Sequence, residues 1–171
     1  MMFWSRALVE AERQFVQQYF GASLDGLLPR IRLYVRRIGD TRRALAMTGG
    51  RISMPRFCFE GADPRQSLRL GHPAVAGLFA HELLHQWQSL QGMAVTRQAA
   101  WLQVKALCLQ QNPYAYARCE APHTMLQTFI CAQVEQQGQM WEDYVRSCVA
   151  GQPDPALVQI ADFIKAKVDG V

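Results

Sequence analysis

At 171 residues and a net charge of +4, the chain has the length of one domain able to bury its own core. No run of 18 apolar residues occurs, which excludes a helical membrane span, and no recognised motif accompanies the modest basic charge, which argues against a nucleic-acid partner. The five cysteines, Cys58, Cys108, Cys119, Cys131 and Cys148, form no C-x-x-C pair. That pattern argues against a zinc knuckle or a complete disulfide framework and reads mostly as small buried hydrophobes, with Cys108–Cys119 or Cys131–Cys148 open to oxidation outside the cytoplasm.

The opening "MMFWSRALVEAERQF" lacks the charged stub, apolar run and cleavage site of a secretory leader, so a cytoplasmic location in the producing cell is expected. Trp4, Leu8, Ala11, Phe15 and Tyr19 recur at helical spacing and predict a helix over 1–20, stopped at Gly21. A small sheet is expected over 30–59. In "PRIRLYVRRI", Ile31, Leu33 and Val35 alternate with Arg32, Tyr34 and Arg36, the pattern of a strand with one buried face. "RALAMTGGRISMPRFCF" splits two short apolar runs at Gly49-Gly50 and predicts a hairpin. Of the 18 basic residues 15 are arginine, and six of those lie between Arg30 and Arg43. Such a cluster is either a solvated strand edge or a surface for an anionic partner, because the planar guanidinium fork matches carboxylates and phosphates.

Residues 73–149 read as a mainly helical region: a helix from Pro73 to Gln91, a second over Thr96–Gln110, and a long one from His123 to Val149. "GQPDP" breaks the pattern, and Leu157, Ile160, Ala161, Ile164 and Val168 form the stripe of a last helix within 153–169. The sum is an α+β, mostly helical single domain over 1–171, with its small sheet near the front.

The chemistry lies in "GLFAHELLHQWQ". Residues four apart on a helix share a face, so His81 and His85 are able to bind one metal ion, with Glu82 beside them as a base rather than a ligand. This H-E-x-x-H arrangement suits a zinc hydrolase, in which the metal activates water and the glutamate takes its proton. A catalytic zinc needs a third protein ligand. Position 91 is Gln91, so the three-histidine pattern is absent, and the choices are His123, Glu120, Glu135, Glu142 and Asp143. Glu135 is best placed: Gly138, three residues on, costs helix stability unless it lets this helix approach the His81–His85 helix closely. For the oxyanion, Tyr114, Tyr116, Arg118 and His123 lie on the irregular segment before the last ligand, and Tyr116 is the residue named, by analogy with other zinc peptidases.

Several segments carry a family resemblance. "FGASLDGLLPRIRLY", "ALAMTGGRISM", "LFAHELLHQWQSLQG" and "VEQQGQMWEDYV" resemble the short gluzincin-type metallopeptidase domains associated with bacterial contractile injection systems, including type VI secretion, across most of residues 20–145. The resemblance implies a zincin-like fold, zinc held by His81, His85 and Glu135, and Glu82 as general base. It implies a polypeptide substrate, partners such as a secretion apparatus or an immunity protein, and delivery as an effector or toxin, or service as an accessory enzyme. It also implies that Gln139, four residues after the ligand glutamate where the family often has an acid, supports a zinc histidine without charge. Leu84 stands where the family often has threonine. A zinc-stabilised adaptor without turnover is the alternative; Glu82 argues against it, since metal binding alone needs no base.

Overall fold

The computed structural model describes residues 4–37, 40–93 and 112–166. Four strands form one sheet: β1 (Ser5–Ala7), β2 (Arg32–Val35), β3 (Leu45–Met47) and β4 (Arg51–Met54), in the order β1-β2-β4-β3. β1 and β2 are antiparallel, β2 and β4 parallel, and β3 and β4 form the expected hairpin. Gly49 and Gly50 turn that hairpin at φ of 78° and 83°, where side-chain-bearing residues are strained. Alternation sorts the faces: Leu33, Ile52 and Met54 are buried, while Arg32, Leu45, Met47 and Arg51 face outward.

Among the described residues, five helices accompany the sheet: α1 (Glu10–Phe20), α2 (Pro73–Leu90), α3 (Pro122–Cys131), α4 (Val134–Val149) and α5 (Val158–Ala166). α2 is buried nearly all round, from Val75 to Gln88, and its Phe79, Leu83, Leu84 and Trp87 are fully enclosed. It packs against the sheet on one side and α4 on another. A continuous apolar cluster runs from Leu33 and Ile52 in the sheet, through α2 and Trp141 of α4, to Ile160 and Ile164 of α5. The mostly helical α+β architecture read from the sequence is therefore the observed one.

Three boundaries differ from expectation. The helix expected over 1–20 is a strand followed by a shorter helix, because Arg6 does not lie on a helical face. Its guanidinium forms a bidentate pair with buried Glu12 at 2.6 Å on each arm, and Glu12 also accepts from the Val9 and Leu68 amides at 2.9 Å. Long-range bonds of Arg6 to the Pro64 and Gln66 carbonyls tie β1, which pairs with β2, to the segment at 64–66. Removing one partner of such a buried ion pair costs about 3–5 kcal/mol.

The long helix expected over 123–149 is broken at Ala132–Gln133, where the backbone is extended. Gln136 accepts from the Gln133 amide at 3.1 Å and restarts the helix with a capping box. Buried glutamine amides cross the break: Gln137 donates to the Phe129 carbonyl at 2.8 Å, which also accepts from the Ala132 amide at 3.2 Å, and Gln88 donates to the Val134 carbonyl at 3.2 Å. The last helix opens with a 3-10 turn, Pro155–Leu157, rather than at residue 153. The helix expected over Thr96–Gln110, Cys108 and Val168 lie outside the described residues. The other four cysteines are free thiols. Among the described residues no helix is long and apolar enough to cross a membrane.

Candidate metal centre

His81, Glu82 and His85 all project from the buried middle of α2, and each is less than a tenth exposed. The i, i+4 spacing stacks the two imidazoles on one side, with ring centroids 4.8 Å apart and planes at 79°. Glu135 comes from the first turn of α4, where the positive helix end favours a carboxylate. Its Oε2 lies 3.4 Å from His81 Nε2 and 3.7 Å from His85 Nε2. One ligand atom from each of His81, His85 and Glu135 falls within 4.8 Å of the others, so this buried trio has the geometry to hold a metal ion. Tetrahedral ligands with bonds of about 2.0–2.1 Å lie roughly 3.4 Å apart, close to the separations seen here.

Gly138 makes that convergence possible. A Cβ at this position would lie 2.6 Å from both Nε2 and Cε1 of His81. Gly77 has the matching role on α2, a turn before His81, where a Cβ would meet Arg146 Cδ at 2.7 Å and Glu142 Cγ at 2.9 Å. The two helices run antiparallel and touch at glycines, which brings Glu135 against the histidines as the sequence suggested.

The outward ring nitrogens are also met. His85 Nδ1 lies 2.8 Å from Gln88 Oε1. Gln88 donates in turn to Gln137 Oε1 at 2.7 Å, and Gln137 to the Phe129 carbonyl. Both glutamine side chains are buried, so this amide chain fixes which way each faces and makes the Gln88 oxygen an acceptor for an Nδ1–H. His85 is thereby set to offer Nε2 inward. His81 Nδ1 faces Glu142 Oε2 at 3.3 Å, a contact of charge more than of an aligned hydrogen bond.

Glu142 corrects the expectation for Gln139. Gln139 turns away and donates to Asp143 at 2.9 Å. The residue seven after Glu135, not four, shares its face toward α2, and it is an acid. The centre therefore has the charged support that Gln139 was expected to deny it. Tyr116 is likewise committed elsewhere, its hydroxyl donating to Asp143 at 2.7 Å. Tyr114 is the phenol beside the trio, its ring 6.1 Å from that of His81. Gln88, Glu142 and Tyr114 were thus not assigned these places from sequence. Gln88, three residues after His85, and Glu142, one helical repeat after Glu135, were readable as same-face neighbours.

Electrostatics follow from the crowding. Burial works against a charge on His81, but Glu135, Glu142 and Glu82 outweigh it and push His81 up to about 10. Burial also works against the Glu135 charge, and the two histidines overcome it and hold the carboxyl well below its usual range. Glu82 behaves differently. Burial lifts its carboxyl above the usual value, against the pull of His81, His85 and the Ala46 amide on β3. Burial and the charge of Glu135 raise Tyr114, which keeps its hydroxyl a donor. Glu142→Gln and Gln88→Leu are each expected to weaken metal retention by about 10–100-fold. Competition with a chelator measures this, and unchanged retention in both would show that neither residue supports the ligands.

Comparison of the chain with protein-family models, curated proteins and solved structures finds no match in any of the three.

Proposed function

We propose that the protein is a zinc-dependent peptidase whose metal is held by His81, His85 and Glu135 and whose general base is Glu82. The observation that carries this reading is a buried carboxylate of raised basicity beside, but outside, a two-histidine, one-glutamate cluster. Imidazole and carboxylate donors in this number suit zinc and leave a coordination position for substrate or water. Zinc bound there supplies Lewis-acid chemistry, polarising a scissile carbonyl and lowering the pKa of water to about 7.

The residues of the chain divide the remaining work. Glu82 accepts the proton of the attacking water and carries it to the leaving amine, a role suited to a carboxyl raised toward the working pH. Glu142 and the Gln88–Gln137 chain hold the imidazoles in place. Tyr114 stands beside the trio as a donor for developing negative charge. By sequence resemblance, the setting is bacterial contractile injection machinery, with the protein as effector or accessory enzyme.

The test is direct. Purified protein is expected to carry about one equivalent of zinc, as structural and catalytic sites of this donor set do. It is expected to cleave members of a broad peptide library, to stop after chelation and to recover when zinc is restored. Full zinc loading with no cleavage of any library member would favour the adaptor reading instead.

Metal uptake should also depend on pH with a defined sign. His81 is raised, so at neutral pH it carries a proton that a ligand cannot keep. Uptake at neutral pH is expected to release about one proton, and affinity to climb with pH until His81 is neutral near pH 10. Calorimetry in buffers of different ionisation enthalpy measures the release. Uptake without a released proton would contradict the charged His81–Glu135 pairing.

A further inference from the structure

The outer face of the sheet carries charge that the fold does not neutralise. Arg32 on β2 and Arg51 on β4 stand directly opposite in register, an arrangement of like charges that costs stability. Arg36 and Arg37 continue β2 beyond its last residue. Among the described residues, none of these four guanidiniums pairs with a carboxylate. The Arg36 Nε is enclosed and has no acceptor. A donor buried without a partner is costly, and an acceptor arriving from outside the fold would relieve it.

Space and apolar surface accompany the charge. Two cavities, of about 570 and 700 Å³, adjoin on this face, and both are lined by Trp4, Val35, Arg36 and Arg37. The first runs over Tyr34 and Ser53 to Leu45, Met47 and Arg51. The second continues past Arg56 and Arg65, and its one carboxylate, Asp63, already accepts from the Arg65 amide at 3.0 Å. Leu45 and Met47 are among the more exposed large apolar residues of the chain.

We infer that this face is a docking groove for an acid-rich, extended polypeptide segment carried by the substrate of the neighbouring metal centre. The acidic character follows from charge: guanidinium forks pair with carboxylates in two parallel hydrogen bonds. The polypeptide character follows from β3. It is the last strand of the sheet among the described residues, and although its Met47 carbonyl already accepts from Gln86 at 2.9 Å, its Leu45 and Met47 side chains line the groove and offer apolar contacts to an extended chain. β3 also links groove and centre, since Gln86, beside His85 on α2, donates to its Met47 carbonyl at 2.9 Å. That the segment belongs to a substrate rests on the peptidase reading; that the groove binds it does not.

The experiment uses the full chain carrying Glu82→Gln, so that binding is read without turnover. Fluorescence anisotropy compares a labelled glutamate-rich peptide with its glutamine counterpart, and oligo(dT) serves as competitor. The acidic peptide is expected to bind at least about tenfold more tightly, with the preference fading as salt rises. Arg37→Ser/Arg51→Ser, a double change at exposed positions, should abolish the preference, and Lys165→Ser on α5 should leave it intact. Equal binding of the two peptides, or a preference that survives the double change, overturns the groove. Displacement of the acidic peptide by oligo(dT) with tighter binding of the oligonucleotide assigns the face to nucleic acid and overturns it as well.

Cleavage by the wild-type chain then separates the two proposals. Faster cleavage of peptides with acidic flanks supports both, and cleavage indifferent to the flanks overturns the substrate assignment while the peptidase reading stands. Acid-selective binding through Arg37 and Arg51, with no peptide cut under zinc-loaded conditions, leaves the groove as a docking surface and removes the peptidase.

Discussion

Glu82→Gln is expected to retain zinc at wild-type stoichiometry and to lose about 10²–10⁴-fold in peptide hydrolysis. The substitution keeps the volume of a side chain that is only 6% exposed, and the amide oxygen is still able to accept from Ala46. It removes basicity and nothing from the ligand set. Stability should hold or rise, since burial disfavours the glutamate charge and the amide carries none. Metal analysis, initial rates on one cleaved peptide and a thermal melt together decide it. Loss of zinc would make Glu82 a ligand, and an unchanged rate would remove it from the chemistry.

Gly138→Ala is expected to abolish useful metal binding, lowering affinity by more than the 10–100-fold typical of supporting residues. In an ordinary helix this change would gain about 1 kcal/mol. Here the new methyl would stand 2.6 Å from Nε2 of His81, on a ring already bounded by Glu142 on its other side. Either the ring rotates away or α4 backs off and takes Glu135 with it. Overpacking of this kind costs about 1–3 kcal/mol of stability in addition. Gly77→Ala is the informative comparison, because its methyl meets the Arg146 and Glu142 stems rather than a ligand atom and should weaken the metal less. Zinc retention by Gly138→Ala equal to wild type would show that the helices have slack the structure does not suggest.

Much of the site was legible because its geometry is local. Histidines four apart with a glutamate between them bring two imidazoles and a carboxylate together on one helix, whatever packs around it. Glu135 was readable for a different reason: Gly138 is an anomaly in a helix, and the anomaly is explained by what must pass close to it. Glu142 was misplaced as Gln139 because the resemblance supplied a spacing of four, whereas the antiparallel approach of α4 puts the seventh residue opposite the far nitrogen of His81. Periodicity alone would have favoured Glu142, which shares its face with Glu135.

The fold shows the same division. β2 and the hairpin are written in alternation, and α2 in its long apolar run. β1 is not, since its three residues become a strand by pairing with β2, and Arg6 anchors them through partners at Glu12, Pro64 and Gln66. The break between α3 and α4 carries a faint local sign, the Gln133–Gln136 capping box. The contact that ties the restarted helix to α2 is distant in sequence, since Gln88 donates to the Val134 carbonyl.

The separation of the ligands along the chain has a consequence for synthesis. A growing chain that has exposed only α2 carries both histidines and Glu82, yet it lacks Glu135, Glu142 and the partner that orients Gln88. Such a chain has nothing with which to close the metal trio. On the peptidase reading, hydrolytic competence would therefore wait until α4 docks along α2.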